Sequence, residues 1–243
     1  MNSIIELTNS QKIYSKEVTK VSLNNFMRQN CRDVFNSFLV RFAEYASIFD
    51  FPVIRATNSI PNRVIPFSKA ISCKDYNQWV HFYEDDYLFE KIWKNPMKYL
   101  DILKKYNGVI LPDFSLYRDM PFIMQLWNIY RSRAIGCWLQ NNSVDVIPNM
   151  RYGDKRTYKL CCEGIICGGV IAVGTHGTLK NKEDRRIFVE GLKVVISVTK
   201  PQAVIVYGKA PNDIFEPIMN QGIMVVAFES EFSKAMRQHK GVV

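Results

Sequence analysis

Six short runs of Val, Ile and Ala recur between helical segments from Trp79 to the end of the chain, and this alternation constrains the fold more than any other feature. The runs are WVHFY, GVIL, VDVI, GVIAVG, AVIVYG and IMVVAF. Strands that are apolar on almost every residue are covered on both faces, and strands joined through helices pair in parallel. Two earlier runs, FPVIRAT and NRVIPFSKA, bring the expected strands to eight, a number that suits a (β/α) barrel in 243 residues. The link between VIPFSKA and WVHFY is too short for a full crossover helix. The expected fold class is therefore α/β, a mostly parallel sheet with covering helices. It is either barrel-like, incomplete or distorted, or open and doubly wound.

Several boundaries have local signals. Phe26, Val34, Phe38, Phe42 and Tyr45 fall at helical spacing behind Ser22, which predicts an amphipathic helix beginning there. Asn95-Pro96 opens a helix running to about Tyr106. Phe122, Leu126, Ile129 and Trp138 mark the apolar side of another. Asn181 with Asp184 three residues on resembles a capping box before a helix that runs to about Lys200. RTYKLCCEG is expected to add a strand or hairpin arm, and Pro217 to kink or restart a short helix. Residues 1–20 form a polar N-terminal arm, and residues 21–243 a single α/β domain.

Hydrophobic residues at 47% and charged ones at 23% are ordinary for a soluble globular chain. There is no run of eighteen apolar residues and no basic-then-apolar leader, so the expectation is a cytoplasmic protein, in a bacterial host, with no membrane partner. The net charge of +9 favours anionic partners, a small anionic ligand or nucleic acid, although the basic residues are spread out and clustered only in pairs such as Lys155-Arg156 and Arg185-Arg186. The adjacent Cys161 and Cys162 fit reduced core thiols better than a disulfide framework. With Cys167 and His176 they make at most a weak zinc set, because the spacing matches no ribbon or finger.

Sites in parallel α/β folds form at the carboxyl ends of the strands, where the loops lead into helices. Every expected strand here ends in groups that hydrogen-bond or titrate. Asp113 follows VILP and either serves as general base or metal ligand or caps loop amides. Glu229 ends the last strand and is a candidate acid/base partner for Asp113. Arg151 and Asp154 flank Tyr152-Gly153; Arg151 either holds a carboxylate or phosphate or pairs with Asp154. Tyr207 and Lys209 follow another strand as ligand-binding candidates. Asp85 and Asp86 are the weak candidates for a divalent cation; their simpler reading is as acids at a helix start. His81 lies inside a strand as a core histidine, and His239 in the tail is solvated.

The stretch VIAVGTHGT gathers the most. Gly174 and Gly177 permit close backbone approach, Thr175 and Thr178 add hydroxyls, and His176 adds an imidazole, a side-chain type suited to acid–base work. A helix start beyond it offers amides to an anion. The competing reading is a tight turn around a locally bonded histidine. P-loop, dinucleotide, nucleophile-elbow, zincin and His-x-His patterns are all absent.

Taken together, VHFYEDD, GVILPDFSLYRDMP, the Trp-Asn and Arg-Ser-Arg helix, VIPNMRYGD and AVGTHGT resemble a bacterial, phage and mobile-element family of unknown function marked by a Gly-Thr-His-Gly motif, here residues 174–177. The resemblance covers about residues 50–230. It implies a phage, prophage or plasmid setting and no particular reaction. Two functions follow from the residues. One is an enzyme, a hydrolase or transferase, acting on a nucleotide-like or phosphorylated ligand: His176, Asp113, Asp154 and Glu229 would handle protons, while Gly174, Thr175, Gly177, Thr178, Arg151, Lys209 and Tyr207 bind. The other is a non-enzymatic basic protein that binds nucleic acid or a host replication or defence protein. A weaker third is a degenerate enzyme fold that sequesters a small ligand.

Overall fold

The computed structural model describes residues 4–5, 13–14 and 33–240. Most of the expected N-terminal arm, and the start of the helix expected from Ser22, lie outside the described residues. From Asp33 onward that helix is absent. Asn36 takes a left-handed conformation (φ 53°), a 3-10 turn follows over Ser37–Val40, and the chain then enters strand β3 (Tyr45–Ala46). The helical spacing misleads here because it mixes packed and unpacked residues: Val34 and Phe42 are 68% and 76% exposed, whereas Leu39, off the pattern, is buried. The Asn36 amide donates to the Trp93 carbonyl at 2.7 Å, which fixes the break.

An antiparallel meander runs β1 (Ile4–Ile5), β2 (Ile13–Tyr14), β3 and β4 (Phe51–Pro52). FPVIRAT thus does not supply a strand of the parallel sheet. Its first two residues pair antiparallel with β3, and Ile54 makes a single parallel bridge to Ile165.

Parallel pairing begins at β5 (Val64–Pro66) and continues through β6 (Trp79–His81), β7 (Gly108–Ile110) and β8 (Val146–Ile147). A second parallel set holds β9 (Val170–Gly174), β10 (Ala203–Tyr207) and β11 (Met224–Phe228). A parallel bridge between Asn149 and Ala172 joins the two sets, with the Met150 amide donating to the Ala172 carbonyl at 2.8 Å. The order β5 to β11 is sequential and never reverses, so there is no switch point of the doubly wound kind.

The sheet curls. Trp79, Ile110, Ile147, Ala172 and Ile205, from five successive strands, meet in one cluster on its concave face. The larger core lies on the convex face, under the helices. The curl stops short of a closed barrel: among the described residues no ladder joins β11 to β5. An ion pair between Lys69, past β5, and Glu231, past β11, spans the gap.

The helices are α1 (Phe67–Ala70), α2 (Asp86–Phe89), α3 (Lys91–Lys94), α4 (Met97–Leu103), α5 (Phe122–Asn141), α6 (Lys182–Thr199), α7 (Asn212–Met219) and α8 (Glu231–Lys240). The short link between β5 and β6 holds only the single turn α1. Helix α5 is buried on nearly all sides, because β4 and the 3-10 turn cover the face turned away from the sheet. Helix α6 starts as its capping residues predict, with the Asp184 amide donating to Asn181 Oδ1 at 2.8 Å. Pro217 lies inside α7 without ending it. RTYKLCCEG forms no strand. It folds into a 3-10 turn over Leu160–Cys162, because both thiols turn inward and donate to the Tyr158 carbonyl.

Candidate functional site

Alternation along one strand builds the centre of the site. Trp79, His81 and Tyr83 share the concave face at a period of two. Beyond the strand's end the Tyr83 hydroxyl donates to Asn149 Oδ1 at 2.9 Å. Asn149 in turn donates to Asp113 Oδ1 at 2.7 Å, and Arg151 donates to Asp113 Oδ2 at 3.4 Å. One polar chain thus links the ends of β6, β7 and β8. Asp113 is only 13% exposed, and burial raises its carboxyl above the ordinary carboxylate range against the pull of Arg151 and Asn149. Burial also lifts the Tyr83 phenol well above its usual value, with the Asp113 charge adding to the effect.

Gly174 ends β9 beside this chain. A Cβ there would stand 2.9 Å from the Tyr83 ring, so glycine lets β9 pass close to it. The next residues divide their roles. Thr175 is buried: its amide donates to the Tyr207 carbonyl at 2.9 Å and its hydroxyl to the Lys209 carbonyl at 2.8 Å. Thr178 closes the turn by donating its hydroxyl to the Thr175 carbonyl at 3.1 Å. Gly177 has a φ of 83°, where glycine is favoured. Both hydroxyls therefore hold the turn itself. His176 projects from the turn and is exposed, its ring 5.6 Å from that of Phe232.

His176 and Gly177 separate two cavities. The first, about 430 Å³, is lined by Arg118, Arg151, Gly153, Gly174 and Asp184 among others. The second, about 490 Å³, lies toward α8 and is lined by Lys180, Gly208, Lys209, Phe232 and Arg237 among others. Arg151 and His176 thus share the first cavity, with Asp113 hydrogen-bonded to Arg151. Lys209 belongs to the second.

The other candidates lie elsewhere. Asp154 is gripped by Arg156 through several hydrogen bonds, and these hold its carboxyl below the ordinary range. Arg151 pairs with Asp113 rather than with Asp154. Glu229 ion-pairs with Arg237 of α8 rather than with Asp113. The Tyr207 hydroxyl accepts from the Glu231 amide at 3.1 Å, and its ring lies on Tyr83; burial pushes its phenol up to about 12. Asp86 accepts from the Ser115 amide and hydroxyl, and Asp85 precedes α2. Among the described residues no group of three or more His, Cys, Asp or Glu is arranged to hold a metal ion. Cys167 and His176 sit at opposite ends of the five-residue β9, roughly 17 Å of strand apart. The start of α6 is not free to receive an anion from the Gly-Thr-His-Gly-Thr turn: its first turn carries Glu183 and Asp184, and Asn181 holds the Asp184 amide.

Three residues that matter to this geometry were not singled out from the sequence. Tyr83 had a signal, the period of two along β6. Lys180 and Phe232 had none, since α8 brings Phe232 to Lys180 from far along the chain. His81 is buried as expected, accepting from the Tyr83 amide at 3.2 Å; burial drives its pKa down to about 3. His239 falls in α8, where its side chain lies outside the described residues.

No helix among the described residues is long and apolar enough to cross a membrane. The chain is 34% identical over 170 residues to the Gene 1 protein of Mycobacterium phage L5, covering 68% of this chain and 74% of that protein. It is 30% identical over 168 residues to the Gene 1 protein of Mycobacterium phage D29, covering 68% of this chain and 62% of that one, less than two thirds of its length. No solved structure matches the chain. A family profile described as Domain of unknown function (DUF4417) matches residues 43–229, and the chain belongs to that family, which has phage members.

Proposed function

We propose that this chain is an enzyme of a phage or other mobile element, working in the cytoplasm of a bacterial host. It acts as a hydrolase or transferase on a small nucleotide-like or phosphorylated ligand at the carboxyl ends of its parallel strands. The observation that carries the reading is Asp113. It is a buried carboxyl with a raised pKa, held between Asn149 and Arg151, next to a cavity that His176 also lines. A carboxyl so placed holds and releases a proton nearer neutral pH than an exposed one. Arg151 orients it, and Gly174 keeps the space beside it clear. His176, exposed on the cavity wall, is the second proton-handling group. Asp154 and Glu229, each ion-paired with a neighbouring arginine, position loops rather than handle protons.

Mass spectrometry of small molecules that co-purify with the protein tests this reading. A compound retained by wild type and lost from both His176→Ala and Asp113→Asn is the expected result. Identical, empty profiles for all three proteins, with no ligand found in a metabolite screen by thermal shift, would overturn it. What supports the alternative, a basic protein that binds nucleic acid or a host protein, is the net charge of +9. That alternative expects oligonucleotide binding that weakens steeply with salt and ignores both substitutions.

A further inference from the structure

The two cavities that meet at His176 differ in charge. In the first, every arginine is already matched: Arg151 by Asp113, and Arg118 by Asp184 at 3.6 Å. Asp119 adds another carboxylate to its wall. In the second, no carboxylate lines the wall, and Lys180 and Lys209 form no ion pair among the described residues. The Lys180 ammonium instead lies 5.9 Å from the centre of the Phe232 ring, a cation–π contact between two residues of the cavity wall. A phosphate group is drawn to unmatched lysines and repelled by unmatched carboxylates.

We infer that the ligand lies across His176, with its phosphate group in the second cavity against Lys180 and Lys209 and its uncharged, hydroxyl-bearing part in the first cavity beside Asp113 and Arg151. This rests on the proposed function and orients its ligand. It also reassigns Arg151, whose charge is spent on Asp113 and is not the one that meets the phosphate. The fitting chemistry is a phosphate ester or diphosphate of a hydroxyl-rich moiety, whether a nucleotide or a sugar phosphate. His176 and Gly177 then stand where the two parts of the ligand join.

Isothermal titration calorimetry with four probes tests the orientation: inorganic pyrophosphate, adenosine diphosphate, ribose 5-phosphate and adenosine. Wild type is expected to bind pyrophosphate and one of the two esters, and the preferred ester tells a nucleotide from a sugar phosphate. The double substitution Lys180→Ala/Lys209→Ala should weaken every phosphate-bearing probe at least tenfold. Asp113→Asn should weaken the preferred ester and spare pyrophosphate. The inference is overturned if the phosphate probes bind the double variant as tightly as wild type, or if none of them binds wild type. In either case a co-purifying compound lost from Asp113→Asn would leave the proposed function standing, whereas its absence as well would remove both.

Discussion

Tyr83 lies flat on Tyr207, with ring centroids 4.7 Å apart and planes inclined by 9°, although their strands β6 and β10 are four places apart in the sheet. Only a strongly curled sheet brings those rings together. Gly174 presses on the outer edge of the same stack.

Gly174→Ala should therefore disturb the site from its side. The added methyl meets Tyr83 at 2.9 Å, and Tyr83 cannot retreat because Tyr207 lies against it. Overpacking of this kind costs about 1–3 kcal/mol. Urea denaturation of the variant should show that loss, and an unchanged midpoint would mean that the ring moves freely.

Arg151→Ala leaves the Asp113 carboxylate buried without its cation. The loss should be on the order of 1–3 kcal/mol near neutral pH. Its dependence on pH has a definite sign. The folded-state pKa of Asp113 is already raised, so the folded protein binds the proton more tightly than the unfolded chain does. Protonation removes the unpaired charge, so the variant's deficit should shrink as pH falls toward 4 and grow as pH rises through the raised pKa. Denaturation curves of both proteins across that range check it.

His81 has the opposite linkage. Its folded-state pKa is near 3, below the ordinary value of 6.5 because of burial, with nearby Glu231 opposing the shift and Lys234 and Lys69 reinforcing it. The stability that neutral His81 provides is complete above pH 6.5 and declines as pH falls toward 3, by about 1.4 kcal/mol per pH unit for one proton. His81→Gln should flatten the acid side of the stability profile by that slope. Parallel profiles for wild type and variant between pH 6 and 4 would refute the assignment.

His176→Ala should leave stability within about 0.5 kcal/mol of wild type, since the side chain is exposed. Ligand retention, not melting temperature, is where it should show. A large drop in melting temperature without any change in bound small molecules would make His176 part of the turn's scaffold.

The parallel strands were legible because their residues are apolar on both faces, as in β10, where all five are buried. The helical reading of Phe38 and Phe42 failed because periodicity records spacing and not what packs: Asn36 breaks the run, and its partner Trp93 lies 57 residues away. At the site, the sequence pointed to the strand ends and to Asp113, Arg151 and His176. It could not pair them. Arg151 lies three residues from Asp154 and 38 from Asp113, yet Asp154 is taken by Arg156, two residues along the same loop. Lys209 was legible as a strand-end group, but Lys180 acquires its meaning only when α8 brings Phe232 to it.

That no ladder joins β11 to β5 among the described residues has a geometric consequence. A closed barrel must bring its register back to the starting residue after one full turn, which ties strand number, tilt and stagger together. A slit cylinder is free of that rule. It holds its seven strands with lengths from two to five residues side by side. A loop at any one strand end can therefore lengthen, and its strand shift, without re-indexing all the others around the ring.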